Sequence, residues 1–110
     1  MTTANQRPPR DELFGFYYLG FDPTGSYRFP NSYHVAAYYK VHNHRVLDWL
    51  EEMNLSPRFV LYQQFDVARA SVDLQMDVRN LTPEGIKLRI REALAALDAA
   101  PGGRDPNAGD

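Results

Sequence analysis

Apolar residues follow three rhythms along this chain. From Leu13 to Phe21 they are nearly continuous, Leu-Phe-Gly-Phe-Tyr-Tyr-Leu-Gly-Phe. Aromatic density of this kind favours strand. Asp22-Pro23-Thr24-Gly25 then gives a turn signal, with proline preset for the second turn position and glycine at the last. With Ser26 to Phe29 as the return strand and Pro30 ending it, residues 13–29 read as a β-hairpin. Gly15 and Gly20 weaken the first strand unless they mark a bulge or a close packing contact.

The second rhythm is helical. Asn31-Ser32 offers an N-cap for a short helix over 33–39. A second helix is predicted over 43–53, its stripe formed by Val46, Leu47, Trp49, Leu50 and Met53, with Asn54 suited to a left-handed cap. The clearest element opens at Thr82-Pro83-Glu84, which supplies a cap, a proline at the first helical position and an acid near the positive dipole end. Ile86, Ile90, Ala93, Leu94 and Leu97 form its stripe, and Pro101-Gly102 stops it.

Between these helices the rhythm is mixed. Ser56-Pro57 is a helix start, yet Phe59-Val60-Leu61-Tyr62 has equal claim as a strand. Over 66–78, Val72, Leu74, Met76 and Val78 alternate with polar residues at strand period, while Val67, Ala70, Leu74 and Val78 fit a helix. Together these predict helix at the start and extended chain from Ser71. The expected fold is α+β and mainly helical: an N-terminal β-hairpin, a helix-turn-helix-like pair, a mixed middle segment and a long C-terminal helix. The polar ends are expected to be tails, flexible over 1–12 and disordered over 99–110, around one globular domain at 13–98.

Charge and composition narrow the function classes. Twelve basic and 14 acidic residues give a net charge of -2, which weighs against a domain that grips nucleic acid by neutralising phosphates. The absence of cysteine excludes disulfides, a thiol nucleophile and cysteine-based zinc sites. With no secretory signal pattern and no apolar run near the ~18 residues needed to span a bilayer, the expected location is cytoplasmic, with no membrane partner. Serines and threonines lack a glycine-flanked elbow or a base beside them, and neither phosphate-binding glycine pattern occurs. Asp73 and Asp77 read as solvated positions beside a buried row. The expectation is a protein that is not an enzyme and carries no cofactor.

Residues 32–55 resemble the helix-turn-helix of bacterial regulators, especially the pattern of MerR-like and excisionase-like domains. Val35-Ala36, Tyr39, Val41, Val46, Trp49 and Leu50 carry the resemblance. Ala36 stands where two helices cross closely, Tyr39 and Val41 flank the turn, and Val46, Trp49 and Leu50 form the buried face of the second helix. The resemblance implies a DNA-reading face of His42, Asn43, His44, Arg45 and Asp48. Two positions depart from the pattern. Lys40 stands where the family usually has glycine in a left-handed turn, at a cost of about 1 kcal/mol if that conformation is kept. Asp48, Glu51 and Glu52 repel a phosphate backbone.

The histidines do not suggest a metal centre, because His42 and His44 point apart if both lie in the helix and His34 belongs to another element. His44 and Asp48, four apart, are expected to form a weak surface pair. Eleven of the fourteen aromatics lie between Phe14 and Trp49, six of them tyrosines. So small a core cannot hide them all, so several tyrosines must reach the surface, either as a site of macromolecular contact or as rings packed edge-on with their hydroxyls in water. The sequence thus predicts a regulatory or adaptor domain that binds a protein partner through His42, Asn43, His44, Arg45 and Asp48 together with Tyr17, Tyr18 and Tyr27 of the hairpin. A DNA-binding regulator using the helix from Asn43 is the alternative. The C-terminal stripe is read as this domain's own core, with a homodimer seam as its second use. Lys87, Arg89 and Arg91 are the one cationic concentration.

Overall fold

Two acids behind a proline pair start the first helix. The structure, a computed structural model, describes residues 7–100, and α1 runs Arg10–Phe14 with Asp11 and Glu12 in its first turn. Carboxylates there face the positive end of the helix dipole. The helix widens at once into a π-turn, Gly15–Leu19, and stops at Gly20, whose φ of 86° is left-handed. A Cβ at Gly20 would stand 2.6 Å from the Tyr27 ring, so glycine meets both the conformational and the steric demand of this turn.

This overturns the expected N-terminal hairpin and the α+β class. The described residues hold no strand, and their β-pairing is one isolated antiparallel bridge, Phe21 to Tyr27. The Asp22–Gly25 turn does form, with the Gly25 N–H donating to the Asp22 carbonyl at 2.8 Å. What the aromatic run concealed was period: the buried side chains are Leu13, Phe14, Phe16 and Leu19, a helical set that a strand would split between two faces. Gly15 belongs to the same face, since a Cβ there would stand 2.6 Å from Ile90.

Next come α2, Ser32–Tyr39, and α3, Asn43–Glu52. The Asn31 side chain accepts from the Tyr33 N–H at 2.6 Å and caps α2. Lys40 ends it in the left-handed conformation, φ 58° and ψ 46°, and the Val41 N–H reaches back to the Ala36 carbonyl at 3.0 Å. Val35, Ala36, Val46, Trp49 and Leu50 are buried between the pair and the rest of the core, and Asn54 is left-handed beyond α3.

The middle of the chain is helical throughout, which corrects the extended segment expected from Ser71. α4 is Pro57–Tyr62, capped by Ser56 Oγ accepting from the Phe59 N–H. α5 is Val67–Asp77, capped by Asp66, and a single 3₁₀ turn, Val78–Asn80, follows it. Ser71 and Leu74 are the buried positions of α5, while Val72 and Met76 are exposed. The strand-like alternation was therefore half surface. Ser71 Oγ donates to the Leu19 carbonyl at 2.9 Å, satisfying an acceptor left open at the end of the π-turn.

α6, Pro83–Ala99, buries Ile86, Ile90, Leu94 and Leu97 against α1, the π-turn and α5. That stripe is this chain's own core and is not open as a dimer seam. Gln63 Nε2 donates to the Leu97 carbonyl at 2.8 Å and so serves the C-terminal end of α6. Arg10 ties three elements together: Nε donates to the Met53 carbonyl at 2.7 Å and Nη2 to the Asn54 carbonyl at 3.2 Å. Its Nη1 and Nη2 also grip the Asp98 carboxylate at 2.6 and 2.9 Å. Of the expected tails, residues 1–6 and 101–110 lie outside the described residues. Within the described part of the first, Arg7 pairs with Glu52 at 2.9 Å and Arg10 begins α1. No described helix is long and apolar enough to cross a membrane.

Candidate functional site

Two surface regions gather the residues that the sequence singled out, and they are separate. The first is the start of α3. His42 is extended, outside the helix as its N-cap, and His44 is one turn position in, so their rings stack at 5.6 Å rather than diverging as two helical residues would. Both are exposed, and with Lys40, Val41 and Arg45 they line one shallow concavity. Asn43 is partly buried, and its Oδ1 is a buried acceptor without a partner among the described residues. Asp48 is exposed, and no His44–Asp48 ion pair forms among the described residues.

The second region is aromatic, and its membership differs from expectation. Tyr17 and Tyr18 belong to the π-turn and pack partly inward, edge to face at 4.8 Å, with the Tyr18 hydroxyl donating to the Leu55 carbonyl at 2.6 Å. Burial pushes both phenols above their ordinary pKa, so they stay neutral. Tyr27 is exposed as expected. Three more exposed aromatics were not selected by the sequence reading: Phe29, whose ring meets that of Tyr27, and Tyr33 and Tyr38 on α2. Tyr33 is 68% exposed and Phe29 63%, values that take both rings out of the core. The signal for the tyrosines was available, because a helix that buries Val35, Ala36 and Tyr39 must turn residues 33, 34, 37 and 38 outward.

The aromatic rings connect surface to core. Phe29 meets Tyr27 edge-on at 6.4 Å and Tyr27 meets Phe21 at 5.3 Å. Tyr38 meets Phe16 at 5.4 Å, and Tyr39 meets Trp49 at 5.8 Å. Tyr39 donates its hydroxyl to Glu12 Oε2, and burial, reinforced by that bond, raises its pKa. A groove lies against this lattice, lined by Phe16, Arg28, His34, Ala37 and Tyr38.

Asp22 organises the loop that carries Tyr27 and Phe29. Its side chain is fully buried, yet Oδ1 accepts from the Thr24 N–H at 2.9 Å, the Thr24 hydroxyl at 2.6 Å and the Ser26 N–H at 3.1 Å. Oδ2 accepts from Arg28 Nε at 2.8 Å. Burial alone would raise the pKa, but the Thr24 hydroxyl, Arg28 and the two N–H donors outweigh it and hold the carboxyl below its ordinary value. A depressed carboxyl contributes stability above its unfolded pKa near ~3.9, and that contribution is lost as pH falls through the folded value. Asp22→Asn is therefore expected to lower stability at pH 7 by about 1–2 kcal/mol, with the gap to wild type closing below about pH 4. Thermal melts across pH 3–8 measure this, and a gap that is constant with pH would refute it.

The basic residues of α6 do not extend the concavity at α3. Arg91 lies 3.9 Å from Asp11, Arg89 pairs with Asp77 at 2.9 Å, and Lys87 shares a hollow with Asp11, Glu12 and Asp22. Among the described residues no cluster of three or more metal-ligating side chains occurs. Comparison with protein-family models, with curated proteins and with solved structures finds no match to this chain.

Proposed function

We propose that this protein is a non-catalytic regulatory or adaptor domain whose exposed aromatics, Tyr27, Phe29, Tyr33 and Tyr38, receive a protein partner. One observation carries the proposal: four large aromatic side chains, each at least 41% exposed, fall within the single stretch of loop and helix from Tyr27 to Tyr38. Large rings with few rotors give contact area at low entropic cost, and clusters of them mark interaction sites. Phe29 sharpens the point. Its φ of 66° is a strained conformation for a bulky residue, at about 1–2 kcal/mol, and its ring is largely in solvent. Strain held at an exposed aromatic fits a contact role better than a packing role.

DNA binding through α3 is the second reading, favoured by the left-handed turn at Lys40 and by the grouping of Lys40, His42, His44 and Arg45 at the start of that helix. The resemblance to helix-turn-helix regulators supports it too. Asp48, Glu51 and Glu52 weigh against it, as do the α6 cations that face acids.

Affinity capture with tagged protein, with and without nuclease, separates the two. The expected result is a protein captured regardless of nuclease, lost with the Phe29→Asn/Tyr33→Ser double variant and kept with Asn43→Ala/Arg45→Ala. Asparagine tolerates the left-handed conformation, so the double variant is expected to melt no lower than wild type. Capture that depends on nucleic acid, or that survives loss of Phe29 and Tyr33, would sink the proposal.

A further inference from the structure

We infer that the groove lined by Phe16, Arg28, His34, Ala37 and Tyr38 receives a short acidic peptide segment, in which an Asp or Glu carboxylate sits beside an aromatic or aliphatic side chain. The inference rests on the protein-binding reading above and narrows the partner.

Arg28 is the reason. Its side chain is 60% exposed, yet its Nε is fixed by Asp22, a carboxylate already anchored by three other donors before it holds the arginine. A buried acid so fully engaged gives an exposed arginine a set direction, which an ordinary surface side chain lacks. The Nη1 and Nη2 end has no partner among the described residues. That free end is the planar fork that takes a carboxylate through two parallel hydrogen bonds.

His34 stands beside it. Its Nδ1 donates to the Arg28 carbonyl at 2.6 Å and lies 3.2 Å from that of Phe29, which leaves Nε2 without a partner among the described residues. The ring thus also ties α2 to the loop that presents Arg28. No acid lines the groove, and although Asp22 balances the arginine's charge from the Nε side, the Nη1 and Nη2 donors at its polar end are matched only by an acceptor. Its remaining walls are Phe16, Ala37 and Tyr38, with Phe16 and Tyr38 in edge contact. An acidic peptide fills both parts, the carboxylate on Arg28 and a neighbouring apolar side chain on the rings. A nucleic-acid duplex offers the anion but keeps its bases stacked away from those walls. The concavity at α3, with its histidines and cations, lacks the aromatic walls.

The test is selection of a displayed random dodecapeptide library on the full chain, with a DNA duplex of about 20 base pairs as a parallel probe. Wild type is expected to enrich peptides with Asp or Glu within two residues of an aromatic or aliphatic side chain. A synthetic copy of an enriched peptide is expected to lose affinity about tenfold or more when its acid becomes the amide, and similarly on Arg28→Gln. Arg28→Lys, which keeps the charge without the fork, is expected to fall between. The substitution in the peptide needs no protein variant, so the outcome stands even if Arg28→Gln melts early.

Enriched peptides without an acid, or indifferent to Arg28→Gln, would overturn this inference. If they still required Phe29 and Tyr33, the broader protein-binding reading would survive. No enriched peptide also overturns it. Duplex binding in place of peptide binding overturns both.

Discussion

Truncating Trp49 to alanine is expected to remove about 4 kcal/mol of stability, the upper range for deleting a large buried side chain. Trp49 is 2% exposed and meets the ring of Tyr39, the residue that links α2 to Glu12 of α1. Its loss therefore empties space between α2 and α3 and loosens the hold of both on α1. A domain of this size has roughly 5–10 kcal/mol in all, so the variant is left near the edge of folding. Urea unfolding followed by circular dichroism measures it, as a midpoint lowered by about half with an unchanged slope. Leu47, two positions earlier and 42% exposed, is the control. Its alanine variant is expected to lose less than about 1 kcal/mol. Similar losses at the two positions would mean that α3 does not present the faces described above.

Gly15→Ala is expected to destabilise by about 2 kcal/mol, although alanine is the better helix former. Its Cβ would stand 2.6 Å from Ile90 Cδ1 and 2.9 Å from Ile90 Cγ2. Cδ1 can swing aside about χ2, but Cγ2 moves only with χ1, which a helix holds to one rotamer for isoleucine, so relief requires the two helices to separate. Ile90→Ala alone creates a cavity and is expected to cost about 3 kcal/mol. Combined, the two changes are expected to be less harmful than their sum by at least about 1 kcal/mol, because the new methyl enters the space vacated. Strict additivity in chemical unfolding would show that the close approach of the π-turn to α6 does not limit this position.

Local chemistry carried much of the helical pattern. Asn31, Ser56 and Thr82 each cap the helix they precede, and Asn54 takes the left-handed conformation its side chain favours. These effects act within four residues, so the sequence states them directly. The first helix was hidden because its apolar face is continuous with aromatics that point elsewhere. A run in which almost every residue is apolar has no readable period. Gly15 and Gly20 read as weak points of a strand, yet one is a helix crossing and the other a helix stop. In α5, Val72 and Met76 are surface residues whose apolar character imitated a second row. The burial of Ser71 depended on the Leu19 carbonyl, 52 residues away.

The candidate site divides in the same way. His42, His44, Arg45 and Asp48 are outward, as the stripe of α3 required. Tyr17 and Tyr18 are half-buried, because a strand and a π-turn distribute neighbours differently. The groove at Arg28 was out of reach, since it depends on Asp22 folding back on its own loop and on a left-handed Phe29, a conformation no local preference of phenylalanine supplies.

The grip of Arg10 on Asp98 also sets an order of events. The two residues are 88 apart in sequence, and closing a loop of that length carries an entropy cost of about 4 kcal/mol on logarithmic scaling. The α2–α3 pair, joined by three residues, faces no such barrier. On a ribosome, α1 emerges first and waits longest: its carboxylate partner leaves the exit tunnel only after every other described helix has been made. Until then the apolar side of α1 and the π-turn, Leu13, Phe14, Phe16 and Leu19, is without α6. Until Asp98 clears the tunnel, that apolar side is open to misassociation.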